Sequence, residues 1–221
     1  MIAAAQVPEP EPPSASPSRL AAAVPRWEWR TFERTFAMTP GVEPTASAAS
    51  EQTYILSLHS PHSVKIRDGQ LTVKRLERVD ERGIHLWRPV LQAAFPIGVD
   101  ELGVACDAWG IPRPAPGTPP HSLSDLLRNV VVGHRALRIV TLTKRRMRIS
   151  VGPCQGERGQ IVIGRHRWNT LSFEDTDPNR VIDTLDGLGL SPVDNEDYPS
   201  ALKRILGFPD HSSTPHALSL H

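Results

Sequence analysis

Apolar and polar residues alternate with a period of two along most of the chain from Trp27 to Glu174, the pattern of strands that bury one face. The alternation predicts eight strands: Trp27 to Phe36, Gln52 to Leu58, Ser63 to Arg67, Gln70 to Val79, Ile84 to Leu91, Ala136 to Val151, Gly159 to Ile163 and Arg167 to Glu174. Helical spacing replaces it in four places. Val99, Leu102, Cys106 and Trp109 recur on one helix face with Gly110 as a stop, and Ser122 is placed to cap a helix bearing Leu123, Leu126, Leu127, Val130 and Val131. Later, Asp177 and Pro178 open a helix carrying Ile182, Leu185 and Leu188 before Gly189, and a last helix runs from Pro199 to Leu206 and stops at Gly207.

Runs of strands followed by pairs of helices favour an α+β antiparallel arrangement, and closing so many strands into a barrel removes their exposed edges. The fold expected is a closed eight-stranded antiparallel β-barrel with helices packed outside. Residues 1–25 are dominated by Ala, Pro, Ser and Glu and bury too little apolar surface to offset chain entropy, so they are expected to form a disordered leader. The polar stretch 210–221 reads as a disordered tail, leaving 26–209 as the folded domain.

Lys and Arg total 25 against 24 Asp and Glu, a net charge of +1, so no global field points to a nucleic acid polymer or an anionic membrane. Neither a secretory h-region nor a run of membrane-spanning length is present, and Cys106 and Cys154 match no zinc or disulfide pattern. A cytoplasmic location is the expectation, and the oligomeric state is open.

Charge is concentrated locally. In SVKIRDGQLTVK the Asp68-Gly69 pair is a type I′ hairpin signal, which sets Arg67 opposite Gln70, Lys65 opposite Thr72 and Ser63 opposite Lys74. One face is then Val64, Ile66, Leu71 and Val73; the other is Lys65, Arg67, Thr72 and Lys74. In TLTKRRMRISV the same alternation puts Lys144, Arg146 and Arg148 on one face. Two like charges about 4 Å apart repel by roughly 4 kcal/mol at an effective dielectric of 20, so such rows must face water, carboxylates or a bound anion. In a closed sheet the apolar faces pack outward under the helices and the basic rows converge inside, where a phosphate-rich anion is accommodated.

Two carboxylates fall on the same inward alternation, Glu28 in the first strand and Glu174 in the last. They are candidate metal ligands and catalytic groups, or salt-bridge partners of the neighbouring cations. No G-x-G-x-x-G, P-loop, H-E-x-x-H or paired C-x-x-C is present. His59 and His62 read as turn residues, and Trp87, Trp109 and Trp168 as packing residues.

From Trp27 to Phe208 these features resemble the CYTH domain, which includes triphosphate tunnel metalloenzymes. The resemblance rests on RWEWR, TYILSLHSPHSVKIRDGQLTVKR, TKRRMRISV, LSFED and NEDYPSALKRILGF. It implies a tunnel that binds triphosphate, polyphosphate or a nucleotide, with basic positions at Arg30, Lys65, Arg67, Lys74, Lys144, Arg146 and Arg148. It also implies Mg or Mn held by acidic residues, here Glu28 and Glu174. The family's opening Glu-x-Glu-x-Lys stands as Arg26-Trp27-Glu28-Trp29-Arg30, its late Glu-x-Glu as Ser172-Phe173-Glu174, and the strand after K-R-R reads QIVIG. The first expectation is therefore metal-dependent hydrolysis of a triphosphate or polyphosphate compound. Alternatives are a noncatalytic (poly)phosphate-binding module and an interaction domain recruiting partners through its leader; adenylate cyclase activity follows from family analogy alone.

Overall fold

The computed structural model describes residues 23–34, 47–152 and 154–208. The expected leader, apart from 23–25, and the tail beyond 208 lie outside the described residues, as does the end of the first expected strand.

Among the described residues there are eight strands: β1 (Arg26–Glu33), β2 (Ser47–Ser57), β3 (Ser63–Arg67), β4 (Gln70–Val79), β5 (His85–Ala94), β6 (Leu137–Val151), β7 (Cys154–Ile163) and β8 (His166–Asp175). They close into a barrel in the order β1-β5-β4-β3-β2-β6-β7-β8, antiparallel throughout. The hairpin register is the expected one, Ser63↔Lys74 through Arg67↔Gln70, across a turn in which Asp68 and Gly69 both take positive φ (51° and 69°). Strand β7 begins at Cys154 rather than at Gly159, and this brings Gln155 and Glu157 into the sheet.

The seam between β1 and β5 is short, with register pairs only from Arg26↔Trp87 to Glu28↔His85. Beyond it the edge of β1 is satisfied by segment 191–196. The Arg30 backbone N–H donates to Asn195 Oδ1 (2.8 Å), Glu196 N–H donates to the Arg30 carbonyl (2.6 Å), and Trp29 Nε1 donates to the Ser191 carbonyl (3.1 Å). Unpaired strand-edge groups would otherwise carry a desolvation cost.

Helix α1 (Val99–Trp109) covers β3 to β5, packing Leu102, Ala105, Cys106 and Trp109 on Val64, Ile66, Leu71, Val73 and Leu91. The second expected helix is α-helical only over α2 (Leu123–Asp125), capped by Ser122, and then widens to a π-helix over Leu126–Val131. The wider turn aligns Leu126 and Val131, five residues apart, on one buried face. Helix α3 (Pro178–Gly187), capped by Asp177, sets Val181 and Leu185 against Trp27, Trp29 and Phe173. A 3₁₀ turn at Pro192–Asp194 leads to α4 (Tyr198–Leu206).

Helix α4 packs differently, across one end of the barrel. Tyr198, Ala201 and Leu202 meet Phe32, Tyr54, Leu56, Val140, Leu142, Ile161 and Ile163. These strand residues share the alternation, and hence the inner face, of Arg30, Gln52, Lys144 and Glu157. The lumen is thus apolar and filled at the α4 end and polar above it. Among the described residues, no helix is long and apolar enough to cross a membrane.

Candidate functional site

The polar part of the lumen is a cavity of about 750 Å³. All the basic positions singled out from the sequence line it: Arg30 from β1, Lys65 and Arg67 from β3, Lys74 from β4, and Lys144, Arg146 and Arg148 from β6. Glu28, Glu157, Glu174 and Asp197 also line it, so among the described residues seven cations face four carboxylates. Tyrosine supplies part of the wall through Tyr54 and Tyr198.

Strand β6 carries the cations from the mouth inward. Arg148 is exposed, the Arg146 side chain is 33% exposed and that of Lys144 only 6%, and the next inward-facing residues, Leu142 and Val140, are buried in the apolar plug.

At depth the charges are paired. Arg30 Nε lies 2.8 Å from Glu28 Oε1, Arg30 Nη1 lies 3.4 Å from Glu157 Oε1 and donates to Thr170 Oγ1 (3.0 Å), and Lys144 Nζ lies 2.6 Å from Glu157 Oε1. Burial alone would raise the Glu157 carboxyl; Arg30, Lys144 and Arg146 overcome it and hold the group at about 2. The same contest lowers Glu28, with burial outweighed by Arg30 and Lys74. For Arg30, burial is outweighed by Glu28 and its other partners, so it stays charged.

Lys65 has no such compensation. Its Nζ donates to Gln52 Oε1 at 3.5 Å and stands 5.6 Å from the Tyr54 ring centroid, with no ion-pair partner among the described residues. Burial, and then the charges of Lys144, Lys74, Arg67 and Arg30, bring its ammonium down to about 7. The upper cavity is short of negative charge.

The structure therefore brings all nine sequence-derived site residues to one cavity wall. Glu28 and Glu174 are direct partners across the β1–β8 seam. Sequence reasoning missed Glu157, because Gly156 and Gly159 interrupt strand propensity and masked the first half of β7. Packing demands the first glycine: a Cβ at Gly156 would stand 2.5 Å from Ile149 Cγ1 and 2.9 Å from Phe173 Cε1. Tyr54 and Tyr198 were also missed; their alternation and helix positions signal core, and only closure turns them toward the site.

Among the described residues, no three His, Cys, Asp or Glu side chains are grouped closely enough to hold a metal ion by themselves. Glu28 and Glu174, adjacent across the β1–β8 seam, are the residues that could hold a hard cation, which would need water and substrate phosphate to complete its shell.

No family model matches the chain, and nothing among curated proteins matches it. Solved structures do. A candidate adenylate cyclase from Bacillus halodurans is similar at 13% identity and a TM-score of 0.43, covering 80% of this chain and 97% of that one. A conserved hypothetical protein from Pyrococcus furiosus is similar at 15% identity and a TM-score of 0.42, covering 78% and 98%. HpAC1 from Hippeastrum, described as having a dominant triphosphatase activity, is similar at 9% identity and a TM-score of 0.41, covering 74% and 84%. These values are too low for any residue or activity to be carried over, and the closed barrel stands on its own strand pairing. It is the architecture that the resemblance to the CYTH domain implies.

Proposed function

We propose that the cavity binds a triphosphate, polyphosphate or nucleotide anion and supports its metal-dependent hydrolysis. The observation that carries this is the row Arg148, Arg146 and Lys144 descending from an open mouth into a cavity where, among the described residues, seven cations face four carboxylates. Lys65, Lys74 and Arg67 stand on the β3–β4 wall and offer further anion contacts. Convergent ammonium and guanidinium groups in a partly desolvated site neutralise a phosphate chain more strongly than the same groups do in water.

Glu28 and Glu174 are the groups proposed to hold Mg²⁺ or Mn²⁺, which when bound would neutralise phosphate oxygens and favour attack by water. Arg30, held by Glu28 and Thr170, and Lys144, held by Glu157, are pre-positioned rather than free to swing. Such fixed donors need little reorganisation as charge develops on the transferred phosphoryl group.

A second reading, a noncatalytic phosphate-binding module, is favoured by the ion pairing of Glu28 and Glu157, which occupies two of the carboxylates. Titration with sodium tripolyphosphate, with and without Mg²⁺ or Mn²⁺, separates the two. Binding with metal-dependent phosphate release supports the first; binding with no release under either metal leaves the second. No binding at all sinks both.

A further inference from the structure

We infer that the cavity takes its anion end-on, with the terminal phosphoryl group received at the floor by the hydroxyls of Tyr54 and Tyr198. The inference rests on the phosphate reading and adds to it a direction of entry and two binding residues. The wall charges grow more buried from Arg148 to Lys144, and below them α4 and the apolar inner residues of β1, β2, β6 and β7 fill the barrel. A chain entering at the mouth meets a stop rather than an exit among the described residues.

The stop is faced with phenols. Tyr54 and Tyr198 are 1% and 8% exposed, their rings stack at 5.3 Å with a 19° tilt, and Phe32 meets the Tyr198 ring edge-on at 4.9 Å. Arg30 and Lys144, the deepest cations, stand 4.7 and 4.8 Å from the centroid of Tyr198. The Tyr198 hydroxyl is buried with no hydrogen-bond partner, and the Tyr54 hydroxyl has none among the described residues. The unspent O–H of Tyr198, buried although buried polar groups are nearly always satisfied, and the O–H of Tyr54 therefore lie beside the deepest cations.

A terminal phosphoryl group is the acceptor that matches. It carries one more unbridged oxygen and more negative charge than an internal one, so it gains most from extra donors. Burial, and then the neighbouring Tyr198, push the Tyr54 hydroxyl well above its ordinary range, so it remains a donor at neutral pH. A chain esterified at both ends lacks this group, and a long polymer presents it only at its termini.

The test titrates wild type, Tyr54→Phe and Tyr198→Phe with sodium tripolyphosphate, and wild type with two polyphosphates of different chain length. Both variants keep the ring stack. Each is expected to bind tripolyphosphate about tenfold or more weakly, the loss of one hydrogen bond to a charged group. The unliganded melting temperature of Tyr198→Phe should not fall below wild type, and the number of proteins bound per polyphosphate chain should not depend on its length. Wild-type affinity in either variant, or a number of bound proteins that rises with chain length, overturns end-on binding while the phosphate reading stands. Failure of wild type to bind tripolyphosphate removes that reading and this one with it. Should a variant fail to fold, the chain-length comparison decides alone.

Discussion

Lys65 and Glu157 show how one enclosed field acts on opposite charges. Lys65 has a folded-state value of about 7 against an ordinary 10.5, set first by burial and then by four neighbouring cations. Its charged form therefore opposes folding fully below about 7, and the penalty fades as pH rises toward 10.5. A bound anion reverses the balance and restores the proton. Calorimetric titration with tripolyphosphate at about pH 8, in buffers of different ionisation enthalpy, should show proton uptake that is lost in Lys65→Arg. Equal uptake in the variant would assign the proton elsewhere. Glu157 is held at about 2 against 4.5, so its contribution to stability is complete above 4.5 and is lost as pH falls toward 2. Glu157→Gln should lower stability by about 3 kcal/mol, because Lys144 keeps a buried charge with its counterion removed. Urea denaturation at neutral pH measures this, and the difference from wild type should shrink on acidification.

At the scale of elements, the β3–β4 hairpin was legible because a two-residue Asp-Gly turn allows one register, and that register assigns every side chain of both strands to a face. Gly69→Ala tests the turn. No atom lies within 4 Å of the added Cβ, so the cost is the left-handed backbone alone, about 1–2 kcal/mol, read as a lower denaturation midpoint at unchanged slope. Helix α4 was legible as a helix but not as a stopper. Its cap Asp197 accepts from the Ser200 backbone N–H (2.8 Å), and its other oxygen lies 3.2 Å from His85 Nδ1 on β5. Asp197→Ala should cost about 1 kcal/mol of thermal stability as the cap is lost. Strand β7 was half missed for a related reason: a pattern read through two glycines loses its alternation, while backbone pairing with β6 and β8 continues through them.

For the molecule as a whole, the cavity is a charge gradient along a barrel closed at one end, and its ligand response should show both features. Excess tripolyphosphate at about a hundred times its dissociation constant adds about 2.7 kcal/mol of stability. The gain should shrink with added sodium chloride, since Arg67, Arg146 and Arg148 near the mouth are open to screening, whereas Lys144 is not. A melting temperature that tripolyphosphate leaves unchanged would refute binding here. By itself the sequence determined the strands apart from the first half of β7, their two faces and the cations that share one of them, because alternation and turn chemistry act over a few residues. Only the tertiary structure decided which strands become neighbours in the closed barrel, that Glu157 neutralises Lys144, and that Tyr54 and Tyr198 meet at the floor. Those facts depend on residues far apart in the chain being brought together by the β1–β8 seam and by α4, and no local pattern encodes which strands become neighbours or which helix stops the end.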